Sequence, residues 1–90
     1  MTITDIKIRK LFDGSEGTLR AVLSVTFDDQ LAVHDMKLIH AKERLFLIMP
    51  GKKNPDGTFK DTVHPINSEF RQTLENAALK AYELAIAAAE

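Results

Sequence analysis

The stretch Leu19–Ile39, LRAVLSVTFDDQLAVHDMKLI, decides the fold. Its first nine residues alternate. Leu19, Ala21, Leu23, Val25 and Phe27 fall on one side, and Arg20, Ser24 and Thr26 on the other, as in a strand with one buried face. Asp28-Asp29 marks a reversal, since a carboxylate there can hydrogen-bond the local backbone. Leu31–Ile39 follows as a second strand. Ala32, His34, Met36 and Leu38 share one parity, and Leu31, Val33, Asp35, Lys37 and Ile39 the other. Both sets mix polar and apolar residues, which predicts a strand covered in part on both sides, or bulged. Strand, tight reversal and strand give an antiparallel pair.

Working outward, Ile6 and Ile8 alternate with Lys7 and Arg9 and predict an earlier strand. The Asp13–Gly17 cluster, with two glycines, makes a turn. Downstream, Leu45–Met49 is a continuous apolar run expected to be a central strand buried on both faces and ended by Pro50. Asn54-Pro55-Asp56-Gly57 fits a type I turn, with Thr58–Val63 as the returning strand.

From Ser68 the period changes to that of a helix. Asn67 or Ser68 is positioned to cap it, and Glu69 suits the positive end of the helix dipole. Phe70, Leu74, Ala77 or Ala78, Ala81, Leu84 or Ala85 and Ala88 form the expected buried stripe, with Leu79, Tyr82 and Ile86 off it. A run of about five strands (about residues 3–64) followed by one long C-terminal helix (about 68–88) is an α+β arrangement with an antiparallel sheet. All 90 residues read as a single domain. One helix covers one sheet face, so a second copy of the chain is a natural way to cover more.

Composition narrows the function classes. There is no cysteine, which excludes a disulfide scaffold and thiol catalysis. No apolar run reaches membrane-span length, and MTITDIKIRK lacks the basic-then-apolar order of a signal peptide, so a cytoplasmic location away from membranes is expected. The net charge is −1, unlike a globally basic nucleic-acid binder, but the charges are uneven. Residues 37–60 hold six cations (Lys37, Lys42, Arg44, Lys52, Lys53, Lys60) against Glu43 and Asp56. Residues 61–90 hold Arg71 and Lys80 against five carboxylates.

Catalytic signals are weak. His34 and His40 share parity but lie roughly 20 Å apart along a strand, too far to share a metal. A structural or surface role is expected for each histidine, His64 included. No serine sits in a nucleophile elbow, and Gly51 and Gly57 lack phosphate-loop spacing. An enzyme is not expected, nor a cofactor, metal or small-molecule substrate. Lys52, Lys53 and Lys60 instead cluster near the Asn54–Gly57 turn, with Arg71 one helical turn past the cap. Flexible cations held together neutralise phosphates without reading bases. Lys7, Arg9 and Lys10 form a secondary basic group. Phe59 is expected in the core, with stacking on a base as the alternative.

The run MPGKKNPDGTFKDTVHPIN (Met49–Asn67) resembles the signature of the stage V sporulation protein G family of bacterial septation regulators, as do ITDIKIRK and the VHD strand. The resemblance extends from about Ile3 to Tyr82. It implies a small cytoplasmic dimer with an antiparallel sheet and C-terminal helix, without enzymatic activity, linked to septation, cell division and sporulation through DNA or RNA binding. The family's basic loop corresponds to Lys52 and Lys53, the basic residue after its phenylalanine to Lys60, and the arginine after HPIN to Arg71. Gly51 departs from the family's serine, and beyond Arg71 the helix offers only Lys80. A protein-interaction module that meets an acidic partner without touching nucleic acid is the alternative.

Overall fold

The computed structural model describes residues 1–15 and 17–89; Glu16 of the glycine turn and Glu90 lie outside the described residues. The elements run β1 (Ile3–Leu11), β2 (Leu19–Phe27), β3 (Leu31–Ala41), β4 (Arg44–Ile48), β5 (Gly51–Lys53), β6 (Phe59–Asp61) and α1 (Ser68–Ala89). The first four form an antiparallel meander in the order β1-β2-β3-β4, and β5 and β6 form a separate two-stranded ribbon. The expected α+β architecture is present.

The alternation in β2 sets the core. Ala21, Leu23, Val25 and Phe27 are buried on the face that the helix covers. Ile6 and Ile8 pair with Val25 and Leu23, Met36 and Leu38 with Leu23 and Ala21, and Leu47 with Leu38. Each therefore adds an apolar side chain to the same face.

The mixed parity of β3 has a single cause. The register shifts between Leu23↔Met36 and Val25↔Val33, and Asp35 takes a left-handed φ of 63°. This bulge inserts one residue. Before it, odd-numbered residues (Leu31, Val33) face the helix side; after it, even-numbered ones do (Met36, Leu38). The bulge also sends His34 and His40 to opposite faces, correcting their expected shared parity.

Two other expectations change. The Leu45–Met49 run falls in β4 (Arg44–Ile48) and just past it, and β4 is the edge strand of the four-stranded sheet, not a central one. Its apolar run arises because Leu47 meets the core while Phe46 and Ile48 pair with Ile39 and Lys37 on the other face. The buried helical row is Leu74, Ala78 and Tyr82, extended by Phe70 and Ile86, whereas Leu84 is 64% exposed. A row of i+4 steps inclines to the helix axis, so it carries Tyr82 and Ile86 inward and leaves Leu84 out. Phe70 meets Phe27 at 5.9 Å between ring centroids. Asn67 caps the helix: its Oδ1 accepts the Phe70 N–H at 2.7 Å, a bond worth about 1 kcal/mol.

The turns carry backbone strain. Asp28 and Asp29 (φ 52° and 53°) and Lys42 and Glu43 (φ 52° and 66°) all lie in the left-handed region, the conformation of tight hairpin turns. At the first turn the Asp28 carboxylate does not bond its local backbone. It accepts the Thr2 N–H at 2.8 Å, while the Asp28 N–H donates to the Thr2 carbonyl at 2.8 Å. The start of β1 is thus pinned to the β2–β3 turn.

At the β3–β4 turn no such compensation accompanies Glu43. Glu43→Gly is expected to stabilise the fold by up to about 1 kcal/mol, by relieving the left-handed strain. Thermal unfolding followed by circular dichroism checks this; an unchanged or lower Tm contradicts it.

Candidate nucleic-acid interface

The helix covers one face of the meander; the opposite face is open. Cross-strand register identifies its occupants. Lys7 pairs with Ser24 and Lys10 with Val22, Val22 with Lys37, Lys37 with Ile48 and Ile39 with Phe46. Arg9 sits in the β1 bulge between Ile8 and Lys10. Its Nε donates to Ser24 Oγ at 2.9 Å, and the Ser24 hydroxyl lies 2.9 Å from His34 Nδ1. These contacts bury Ser24 on the open face and satisfy its oxygen on both sides. Arg44 stacks over Phe46 at 4.7 Å and Lys10 over Phe12 at 5.2 Å, so both cations are partly held in place.

The secondary basic group, Lys7, Arg9 and Lys10, therefore shares one face. The sheet adds Lys37 and Arg44, which the sequence had not singled out. Their signal was present: once the bulge is placed, Lys37 falls on the parity opposite Met36 and Leu38. Asp5, paired with Thr26, contributes a carboxylate to the same face.

The ribbon carries the first-choice cations. Its turn forms as expected: the Gly57 N–H donates to the Asn54 carbonyl at 3.0 Å and the Asn54 N–H to the Thr58 carbonyl at 2.7 Å. Asp56 accepts the Thr58 hydroxyl at 2.7 Å and the Thr58 N–H at 3.0 Å. Those two bonds, the side-chain one foremost, lower the carboxyl below its ordinary value near 3.8. Lys52 pairs with Lys60 and Lys53 with Phe59. Strand alternation then puts Lys52 and Lys60 on one side of the ribbon, and Lys53 with Phe59 on the other. Arg71, half-buried on the helix, belongs to the layer on the covered side of the sheet. The four residues thus occupy three surfaces.

Phe59 is not in the core. It is 57% exposed, because the ribbon has no second layer over it. Between ribbon and open sheet face runs a groove of about 700 Å³, lined by Val22, Ile48, His34, Asp35, Lys37 and Phe59. Lys52 stands at its ribbon side. Although neighbours in sequence, His34 and Asp35 reach this same groove, because the bulge breaks the alternation. Among the described residues, no three His, Asp or Glu side chains gather as a metal site. No described helix is long and apolar enough to cross a membrane.

A second hollow, about 310 Å³, opens on the helix side at the end of the sheet. Phe27, Met36, Met49 and Leu74 form its interior, and Leu31 and Ile66 line it too. Ile66 is 91% exposed and Leu31 51%, so an apolar surface remains uncovered.

A four-stranded meander backed by one helix, with a proline-bounded basic ribbon beside its open face, defines a class of small α+β proteins with a polar, cation-bearing sheet surface. The SpoVG family model matches residues 1–84, and the chain belongs to the SpoVG family. It is 50% identical over 86 residues to a Clostridium beijerinckii protein, covering 96% of this chain and 92% of the relative. It is 52% identical over 85 residues to one from Thermoanaerobacter sp., covering 94% and 90%. It is 46% identical over 90 residues to one from Caldicellulosiruptor saccharolyticus, covering both chains completely. Each of these relatives is named "Putative septation protein SpoVG".

Gly51 has a local role. A Cβ there would run into the Lys60 carbonyl oxygen and come within 2.7 Å of the Phe59 ring and 2.9 Å of the Asp61 Cα. The ring covers the glycine and the strands close tightly. Gly51→Ala is expected to splay the ribbon. The Thr62 amide, which donates to the Pro50 carbonyl at 2.7 Å, should lose hydrogen-exchange protection. The meander and helix should keep theirs. Retained Thr62 protection contradicts this.

Proposed function

We propose that this chain is a septation-associated regulator that acts as a homodimer by binding nucleic acid, not by catalysis. The septation role rests on the names of its relatives. The observation that carries nucleic-acid binding is the cation-bearing open face with the Lys52, Lys53 and Lys60 ribbon at its side. Two closely spaced basic surfaces in a chain of net charge −1 concentrate positive potential on one flank, where phosphates are neutralised and counterions released. The homodimer is supported by the uncovered apolar hollow around Leu31 and Ile66, since contiguous exposed apolar surface marks association sites.

On this reading, affinity for duplex DNA or RNA falls steeply with salt. Lys52→Ala combined with Lys53→Ala reduces the slope of log K against log salt by roughly two phosphate contacts. Fluorescence anisotropy between low and physiological salt provides the check. An unchanged slope, or no binding at low salt, rejects nucleic-acid binding and leaves a basic surface for an acidic protein partner. For the dimer, light scattering of the wild type should give twice the chain mass, and Ile66→Asp should give the monomer mass. A wild-type monomer at micromolar concentration rejects it.

A further inference from the structure

The groove between the ribbon and the open face has a composition that phosphate neutralisation alone does not call for. A purely electrostatic grip on a duplex needs exposed cations and nothing else. Here an aromatic ring, 57% exposed, stands over a glycine on the ribbon. It faces apolar Val22 and Ile48 across a concave space that also holds Lys37 and Lys52. Core packing does not explain the ring, because no second layer covers it. A duplex cannot use it either, since paired bases keep their faces stacked on one another. A single strand can, because its unstacked bases present π-faces to aromatic side chains while cations follow the backbone.

We propose that this groove binds single-stranded nucleic acid, with one base stacked on Phe59 and a flanking phosphate met by Lys37. The inference rests on the nucleic-acid reading above and specifies its strand state and its aromatic contact. The charge balance suits a polyanion: Lys7, Arg9, Lys10 and Arg44 continue the positive surface beyond the groove, against the carboxylates of Asp35 and Asp5. The same balance disfavours two open faces packing on each other, since cations would meet cations. The apolar floor keeps the stacked base away from water, and Asp35 supplies an acceptor for a base amino group at the groove edge.

The test uses the full chain, a labelled 12-nucleotide mixed-sequence single strand as RNA and as DNA, and the duplex of the same sequence. The single strand should bind more tightly than the duplex. Phe59→Leu keeps an apolar side chain over Gly51 and removes the π-face. It should weaken single-strand binding by roughly 5- to 100-fold, without changing the salt slope and with duplex affinity within about twofold. Phe59→Trp should restore it. Lys37→Ala should lower the single-strand salt slope by about 0.7. Photo-crosslinking of an iodouracil-bearing strand should map to Phe59. Matching thermal melts of the variants secure the comparison. Equal or tighter duplex binding overturns the inference alone, as does an unaffected Phe59→Leu. So does competition by poly-glutamate that matches competition by the oligonucleotide, which would reveal a site for acidic protein. Failure of strand and duplex alike to bind at low salt overturns the underlying reading as well.

Discussion

The rest of the structure depends on one left-handed residue in β3. By taking φ of 63°, Asp35 lets Val33 and Met36 point to the same side of the sheet although three positions separate them. Without that extra residue the strand would keep strict alternation. Either Val33, or Met36 and Leu38, would then turn away from the core. Met36 and Leu38 are buried against Leu23 and Ala21, and the helix rests its Leu74, Ala78 and Tyr82 on the same cluster. The cost of a left-handed aspartate, roughly 1–2 kcal/mol, is small beside the several kcal/mol lost when even one large core side chain is removed.

The same bulge shapes the opposite face. It brings His34 beside Ser24, and Arg9 reaches the same hydroxyl from its own bulge in β1. One polar chain thereby crosses three strands and closes over a buried serine. Around it the open face mixes cations with the half-buried Val22, Ile39, Phe46 and Ile48, while the helix side is apolar to its end and overflows there around Ile66. The two faces therefore differ in kind: exposed charge on one, uncovered apolar surface on the other. A chain of this size, with one helix for two sheet faces, keeps them distinct because its only thick hydrophobic layer lies on one side.

Local chemistry was largely legible in the sequence, and long-range placement was not. The alternation of β2 from Ala21 to Phe27, the Asn54–Gly57 turn and a cap at Asn67 or Ser68 depend on neighbours within a few residues and stand, with Asn67 as the cap; Leu19 does not, because the register shift beside Arg20 pairs it with Ile39 on the open face. The position of β4 at the sheet edge depends on the ribbon leaving the sheet after Pro50, which the apolar run Leu45–Met49 does not reveal. Spacing leaves the helix row open between Leu84 and Ala85 and puts Tyr82 and Ile86 off the stripe, because alanines fill so many positions that it alone cannot choose among them; the incline of an i+4 row chooses. Mixed parity in β3 did announce a bulge, but not its position, and without that position Lys37 could not be assigned to the open face. Phe59 looked like core because an aromatic in a strand usually is; its exposure follows from the ribbon standing apart. Sequence proximity gathered Lys52, Lys53, Lys60 and Arg71, and strand alternation and the helix layer separate them again.

That separateness has a mechanical consequence. The ribbon shares no strand pairing with the meander, and the hydrogen bonds of its turn join only its own residues. It is therefore a unit that can loosen without disturbing the core, at a free-energy cost set by its own few bonds. Proline bounds it on both sides, at Pro50 and Pro65, and restricts the angles through which it swings. The aperture beside the sheet is thus adjustable, and whatever enters it must also hold the ribbon still. A ligand bound there would give up part of its interaction energy to that ordering.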